Sequence, residues 1–464
     1  MTTRFRTEKD SMGSIDVPED ALWRAQTERA RRNFSLSKLR FPTRFIHSLA
    51  QIKAAAAAAN GELDLLNTEQ VTAIRTAADA IIAESSTEQF PLDIFQTGSG
   101  TSTNMNMNEV IAESIQRNNG PTVHPNDHVN CSQSSNDVIP TCIQVSCVLA
   151  LTEQWLPAIV HLQKTIEDKA RELENVVKTG RTHLMDAMPI TMAQELRAWG
   201  TQLHHCQSNV NEVIERLRAL PQGGTAVGSG INAPAAFRSL FCQQLSARVG
   251  QNFRPAENAF AGIAGQELSL QLAGALNSCG AVLMKISNDL RWMNSGPLAG
   301  LGEIELRALQ PGSSIMPGKV NPVIPEAVAM VAAHIAGSYQ TIAVAAQQGN
   351  FQLNVMLPVI AHHLLESIEI SSEAMTSLAD QAIADFQVKH QRLEHALARN
   401  PILVTALNSV IGYNQAAAIA KRAYQEQRPI IEVADEMTEL SRSELEQLLD
   451  PEQLTHGGIP GTAD

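Results

Sequence analysis

The sequence predicts a mainly α-helical protein built on a central bundle of long helices, and three observations carry that expectation. Long stretches lack both Gly and Pro, apolar residues recur at helical spacing, and the helix breakers gather in polar loops. At 464 residues the chain exceeds what one hydrophobic core serves, so several domains are expected.

The elements follow in order. "KAAAAAAN", from Lys53 to Asn60, reads as ordinary helix, because Ala is the strongest helix former and amphipathic sequence continues on both sides. Ala158 to Thr179, Thr201 to Leu220 and Val359 to Asn400 contain neither Gly nor Pro and mix Ala, Leu, Glu, Gln and Lys, which predicts long helices. In the last, Leu364, Ile368, Met375, Leu378, Ala382 and Phe386 step by three, four or seven and so share one face. Helices of this length pack side by side as bundles. A composition shift after Asn400, with Pro401, Gly412 and Pro429, predicts a small tail domain. The expected organisation is a loop-rich N-terminal helical domain over 1–136, a long-helix bundle over 137–392 and a small C-terminal helical domain over 393–464.

Charge and cysteine usage exclude several classes. A net charge of −13, with no clustered Lys or Arg, argues against a nucleic-acid partner. The six cysteines show no CxxC pair and no close Cys/His set, so reduced, buried thiols and no metal are expected. The opening "MTTRFRTEKDSMG" reaches charged residues at once, and no uninterrupted apolar run looks long enough to cross a bilayer. These features point to a cytoplasmic protein with no membrane partner.

Loops gather at Phe95 to Asn108, Asn118 to Asp137, Pro221 to Pro234 and Leu309 to Pro322, and they concentrate hydroxyls and amides while nearly excluding charge. Neutral donors with one cation, Lys319, suit a small dicarboxylate held by charge-assisted hydrogen bonds. Asn321 can cap a helix with Pro322 at its first position, and Ser134, Ser135 and Asn136 precede another helix entry, where anions are favoured. The plain alternative for each is a capping residue. His183 lies between Gly180 and Pro189, near Thr182, where a helix end can turn a side chain toward a cleft. His124, beside Asn126 and Asp127, fits a simple Asx-type turn.

"GSSIMPGKVNP", from Gly312 to Pro322, resembles the signature loop of the fumarase/aspartase superfamily. "TGSGTSTNMNMNE", "HPND", "SQSSND" and "GRTHLMDA" are similar, in the same order, to the other blocks of its class II fumarases. The resemblance runs from "RTEKDSMG" to "LVTALNSVIGY", nearly the whole chain. It implies a three-domain helical subunit, a homotetramer around a helical core, and active sites built from three different subunits. The implied reaction is reversible hydration of fumarate to (S)-malate through an aci-carboxylate, without cofactor.

By similarity Ser313 is the base, and His183 handles the hydroxyl end with its basicity raised by Glu326. Ser99, Gly100, Thr101, Ser134, Ser135, Asn136, Thr182, Ser314, Lys319, Val320 and Asn321 form the substrate pocket. His124, Pro125, Asn126 and Asp127 correspond to a second dicarboxylate site. There the preceding "GPTV", Gly120 to Val123, lacks the basic residue many fumarases carry, which implies a degraded second site. An aspartase-like ammonia-lyase, a mesaconate hydratase side activity and a catalytically silent structural relative are the alternatives. Aspartases typically show Gln where this chain has His183, and the iron–sulfur fumarases are excluded by the cysteine pattern.

Overall fold

The computed structural model describes residues 4–84, 87–312 and 314–458. Helices dominate, and the sheets among the described residues are all two-stranded. Contacts divide the chain into two compact units. One holds Met1–Pro157, Cys206–Gly280 and Val331–Ser372, the other Ala158–His205, Ala281–Met330 and Glu373–Asp464.

In the first unit an antiparallel hairpin, Phe5–Asp10 with Gly13–Pro18, precedes the helices. The Thr43–Glu62 helix is its buried post, with Phe45, Leu49 and Ile52 inaccessible and Ala54 to Ala57 almost so. Small side chains let the Thr68–Ala83, Ser135–Ala150 and Phe237–Val249 helices pack against it, so the alanine tract is helix as expected. Thr101–Arg117 packs against Ser135–Ala150. Gly100, at φ +70°, opens that first helix, and a Cβ there would lie 2.9 Å from Ile139, so both space and backbone require glycine.

Two expected helices are corrected. The run predicted to reach Thr179 stops at Glu172, and Val177–Thr182 pairs instead with Met185–Thr191. Val177, Thr179 and Thr182 are β-branched and favour the pleated conformation, a preference that the absence of Gly and Pro upstream concealed. The stretch predicted as one helix from Val359 to Asn400 is Leu357–Leu378, a single π turn at Ala379–Ile383, and a separate His390–Arg399 helix. Between them Gln387–Val388 pairs with Ile304–Glu305, so a tertiary ladder breaks a helix that local propensity would continue. Phe386, Leu378, Ala382 and Met375 are buried on one face as their spacing predicts. Near the C-terminus Leu403, Leu407, Ile419, Val433 and Leu445 form a hydrophobic cluster of their own.

The expectation that nothing matches a bilayer is corrected on length and composition. Ser135–Glu172 and Val323–Ala346 each contain a window of mean hydropathy 1.4, but the first window is 67% buried and the second only 28%. Met330 and Val344 stand 68% and 59% exposed on the latter helix.

Candidate active site

Within the first unit three of the polar loops meet. Gly100, at the start of the Thr101–Arg117 helix, has no side chain to cap it, and Gln96 Oε1 instead accepts from Thr103 N at 3.1 Å and from Thr103 Oγ1 at 2.8 Å. At the same helix start Ser99 Oγ and Thr101 Oγ1 lie 2.9 Å apart. Ser134 and Asp137 close a capping box on the Ser135–Ala150 helix: Ser134 N donates to Asp137 Oδ1 at 2.9 Å, and Asn136 N to Ser134 Oγ at 3.2 Å. The plain capping role therefore holds for Ser134. Asn104 Nδ2 donates to Ser135 Oγ at 2.9 Å, joining the two helix entries, and Asn136 Nδ2 donates to the Ala226 carbonyl at 2.8 Å. Asp137 Oδ2 accepts from Gly223 N at 2.8 Å and Thr225 N at 2.9 Å. Burial pushes this carboxyl up to about 6 against those donors.

The second unit holds the remaining candidates. His183 and Leu184 form a two-residue hairpin turn with φ +55° and +60°, so His183 stands exposed at the tip of a hairpin and not at the end of a helix. A charged brace anchors the hairpin's base. Glu303 Oε2 lies 2.8 Å from Lys178 Nζ, Glu303 Oε1 lies 2.7 Å from Arg181 Nη2, and Glu195 completes the set at 2.7 Å from Lys178. Lys178 and Glu303 are both buried, so each charge depends on the other.

The signature loop is closed at its neck. Asn321 Nδ2 donates to the Gly312 carbonyl at 2.7 Å, and a Cβ on Gly312 would lie 2.0 Å from the Lys319 carbonyl oxygen, so no side chain fits there. Asn321 was expected to cap the following helix. Instead Pro322 offers its carbonyl to Glu326 N at 3.1 Å, freeing the amide for the loop. Lys319, Val320, Asn321 and Glu326 all line one cavity of about 1490 Å³, which Arg291 and Arg392 also line. Thr182 and His183 are not on that cavity, and no hydrogen bond joins His183 to Glu326 among the described residues. Ser313 lies outside the described residues, and Ser314 is exposed beside it.

The HPND segment is a single π turn, Pro125–Val129. His124, not an Asx side chain, caps it: its Nδ1 accepts from Asp127 N at 3.2 Å and lies 3.1 Å from Asp127 Oδ2. Asn126 and Asp127 are exposed and Pro125 is buried. Sequence reasoning missed Lys53, which is wholly buried beneath the Ser135 entry. The one signal was a single cation inside an alanine tract.

A lyase family profile matches residues 13–337, and a profile described as the fumarase C C-terminus matches 403–456. Class II fumarate hydratase of Xylella fastidiosa is 55% identical over 98% of this chain and 96% of that protein. The chain belongs to the class II fumarase family. A second fumarase of the family, class II 2 from Pseudomonas aeruginosa, is likewise 55% identical, over 98% of this chain and all of that one. The fold agrees: a class II fumarase from Schistosoma mansoni superposes with TM-score 0.94 at 36% identity, covering 97% of this chain and 99% of that one. A fumarate lyase:delta crystallin from Brucella melitensis, crystallised bound to cobalt, gives 0.92 at 40% identity over 97% and 100%.

Proposed function

We propose that this class II fumarase is a fumarate hydratase, interconverting fumarate and (S)-malate. The 55% identity to a fumarate hydratase across 98% of the chain carries this reading, and the chain also keeps every residue type the chemistry demands. Removing a proton beside a carboxylate creates a dianionic aci-carboxylate, which needs a base and preorganised donors around the oxygens that gain charge. In this reading Ser313 is the base. Lys319 and Asn321 bind one carboxylate, while Ser99, Gly100, Thr101, Thr182, Ser134, Ser135, Asn136, Ser314 and Val320 surround the rest of the substrate.

In this reading His183 takes the proton of the attacking water in hydration and returns it to the leaving hydroxyl oxygen in dehydration, with Glu326 as its partner carboxylate. The closed neck holds Asn321, and Lys319 close to it, at the mouth of the signature loop. The exposed HPND turn is read as a weakened second site.

Three copies are proposed to contribute to each site within a homotetramer. Support comes from the Val323–Ala346 helix, whose apolar window is largely uncovered and needs neighbouring chains to bury it. The three-domain division over 1–136, 137–392 and 393–464 and a cytoplasmic location belong to the same reading. Met330→Glu is expected to lower the solution mass from that of four chains and to abolish turnover with it, measured by light scattering and ultraviolet absorbance; a fully tetrameric, active variant would remove this helix from the interface.

Purified protein is expected to interconvert malate and fumarate at the same rate with or without a chelator, followed by absorbance of the double bond. Loss of activity with the chelator and its return with zinc or iron would overturn the acid–base scheme. A panel of fumarate, mesaconate, and aspartate with ammonia separates the hydratase from its relatives. One methyl group changes selectivity by only about 1–3 kcal/mol, so mesaconate is the informative member. No turnover of any member would favour a silent structural relative.

A further inference from the structure

We propose that Lys53 is a positioning residue for substrate binding, acting from the core through Asn130 and Asn104 on the Ser135 hydroxyl. The inference rests on the hydratase reading, which places Ser135 in the carboxylate pocket. Lys53 Nζ donates to Asn130 Oδ1 at 2.9 Å and to Gln133 Oε1 at 3.1 Å. Asn130 Oδ1 also accepts from Asn104 Nδ2 at 3.1 Å and Asn108 Nδ2 at 3.3 Å, and Asn104 Nδ2 reaches Ser135 Oγ at 2.9 Å. Asn130 Nδ2 donates in turn to the Gln133 carbonyl at 3.2 Å, fastening the turn that leads into Ser134 and Ser135. One ammonium thus fixes both ends of the polar segment beneath the pocket.

Packing alone does not account for this lysine. Its side chain is wholly buried among alanines, where Met would fill the same volume without losing hydration. The hydrogen-bond partners of its Nζ are neutral amides. The charged or titratable groups that act on it, Asp137 and Cys142, both belong to the Ser135–Ala150 helix. Asp137 already accepts backbone N–H groups from Ser134, Gly223 and Thr225. What Lys53 adds is a pair of directed donors and a positive charge below the place where a dianion settles.

That charge is poised to respond to the ligand. Burial pulls the amine down to about 7, so the free enzyme loses the charge as pH climbs through neutrality. A bound dianion favours the protonated form, and KM for fumarate therefore rises above about pH 7.

Lys53→Met in the assembled enzyme is expected to raise KM for fumarate roughly tenfold or more, to change kcat by less than about threefold, and to flatten the rise of KM above neutrality. Lys53→Gln, which keeps a donor but no charge, is expected to give an intermediate KM and the same flat profile. An unaltered KM and pH profile in folded Lys53→Met overturns the inference while leaving the hydratase reading in place. Wild-type protein that hydrates no fumarate removes both.

Should Lys53→Met fail to assemble, proton uptake by the intact enzyme decides. Succinate binding is followed by calorimetry at about pH 7.5 in two buffers of different ionisation enthalpy, with His183→Asn as background. Uptake that persists in that background supports Lys53, and its absence refutes it.

Discussion

His183→Asn is expected to leave the hairpin and the assembly intact while lowering kcat by roughly two to four orders of magnitude, the range for loss of an acid–base group. The choice of Asn matters because His183 sits at φ +55°, followed by Leu184 at +60°, and Asn is among the few side chains that tolerate this region. Ala would mix backbone strain into the measurement. With Asn, an unchanged melting temperature and far-ultraviolet circular dichroism confirm the turn, and steady-state kinetics then report chemistry. The base of the hairpin is held independently by Lys178, Arg181 and Glu303, so the tip can change without unseating the strands. A rise in KM at constant kcat would make His183 a binding residue and return the proton transfer to another group.

Ser313→Ala carries the other large effect, a fall in kcat of about three orders of magnitude or more with the tetramer preserved. A serine hydroxyl is a poor base in water and becomes one only where donors stabilise its alkoxide, so its removal takes away the whole proton-accepting function. KM is expected to move far less, because Lys319 and Asn321 remain on the neck of the loop. Single-turnover exchange of the malate C3 proton with solvent isolates the step. Near-normal exchange in Ser313→Ala would assign the base elsewhere.

Where the candidate loops lie could be read from residue order, because Gly and Pro there forbid regular structure. The loops around Gly100, Ser134 and Gly312 are where the breakers place them, and the face carrying Leu378, Ala382 and Phe386 is buried as its spacing demands. Three features were not legible for a shared reason: each depends on a partner outside its own segment. Val177–Thr182 becomes a strand through pairing with Met185–Thr191, and Gln387–Val388 breaks a helix through pairing with Ile304–Glu305. Lys53 is buried because Asn130 and Gln133 answer its amine, which nothing in an alanine tract announces. The amide of Asn321 likewise left its expected cap for the Gly312 carbonyl.

That last contact turns the signature segment from an open strap into a ring. A ring samples far fewer shapes than a free strand of the same length, so less disorder remains to be surrendered when a small anion is captured. Mutants that cut the Asn321 clasp would therefore show their damage chiefly as slow, unproductive encounters.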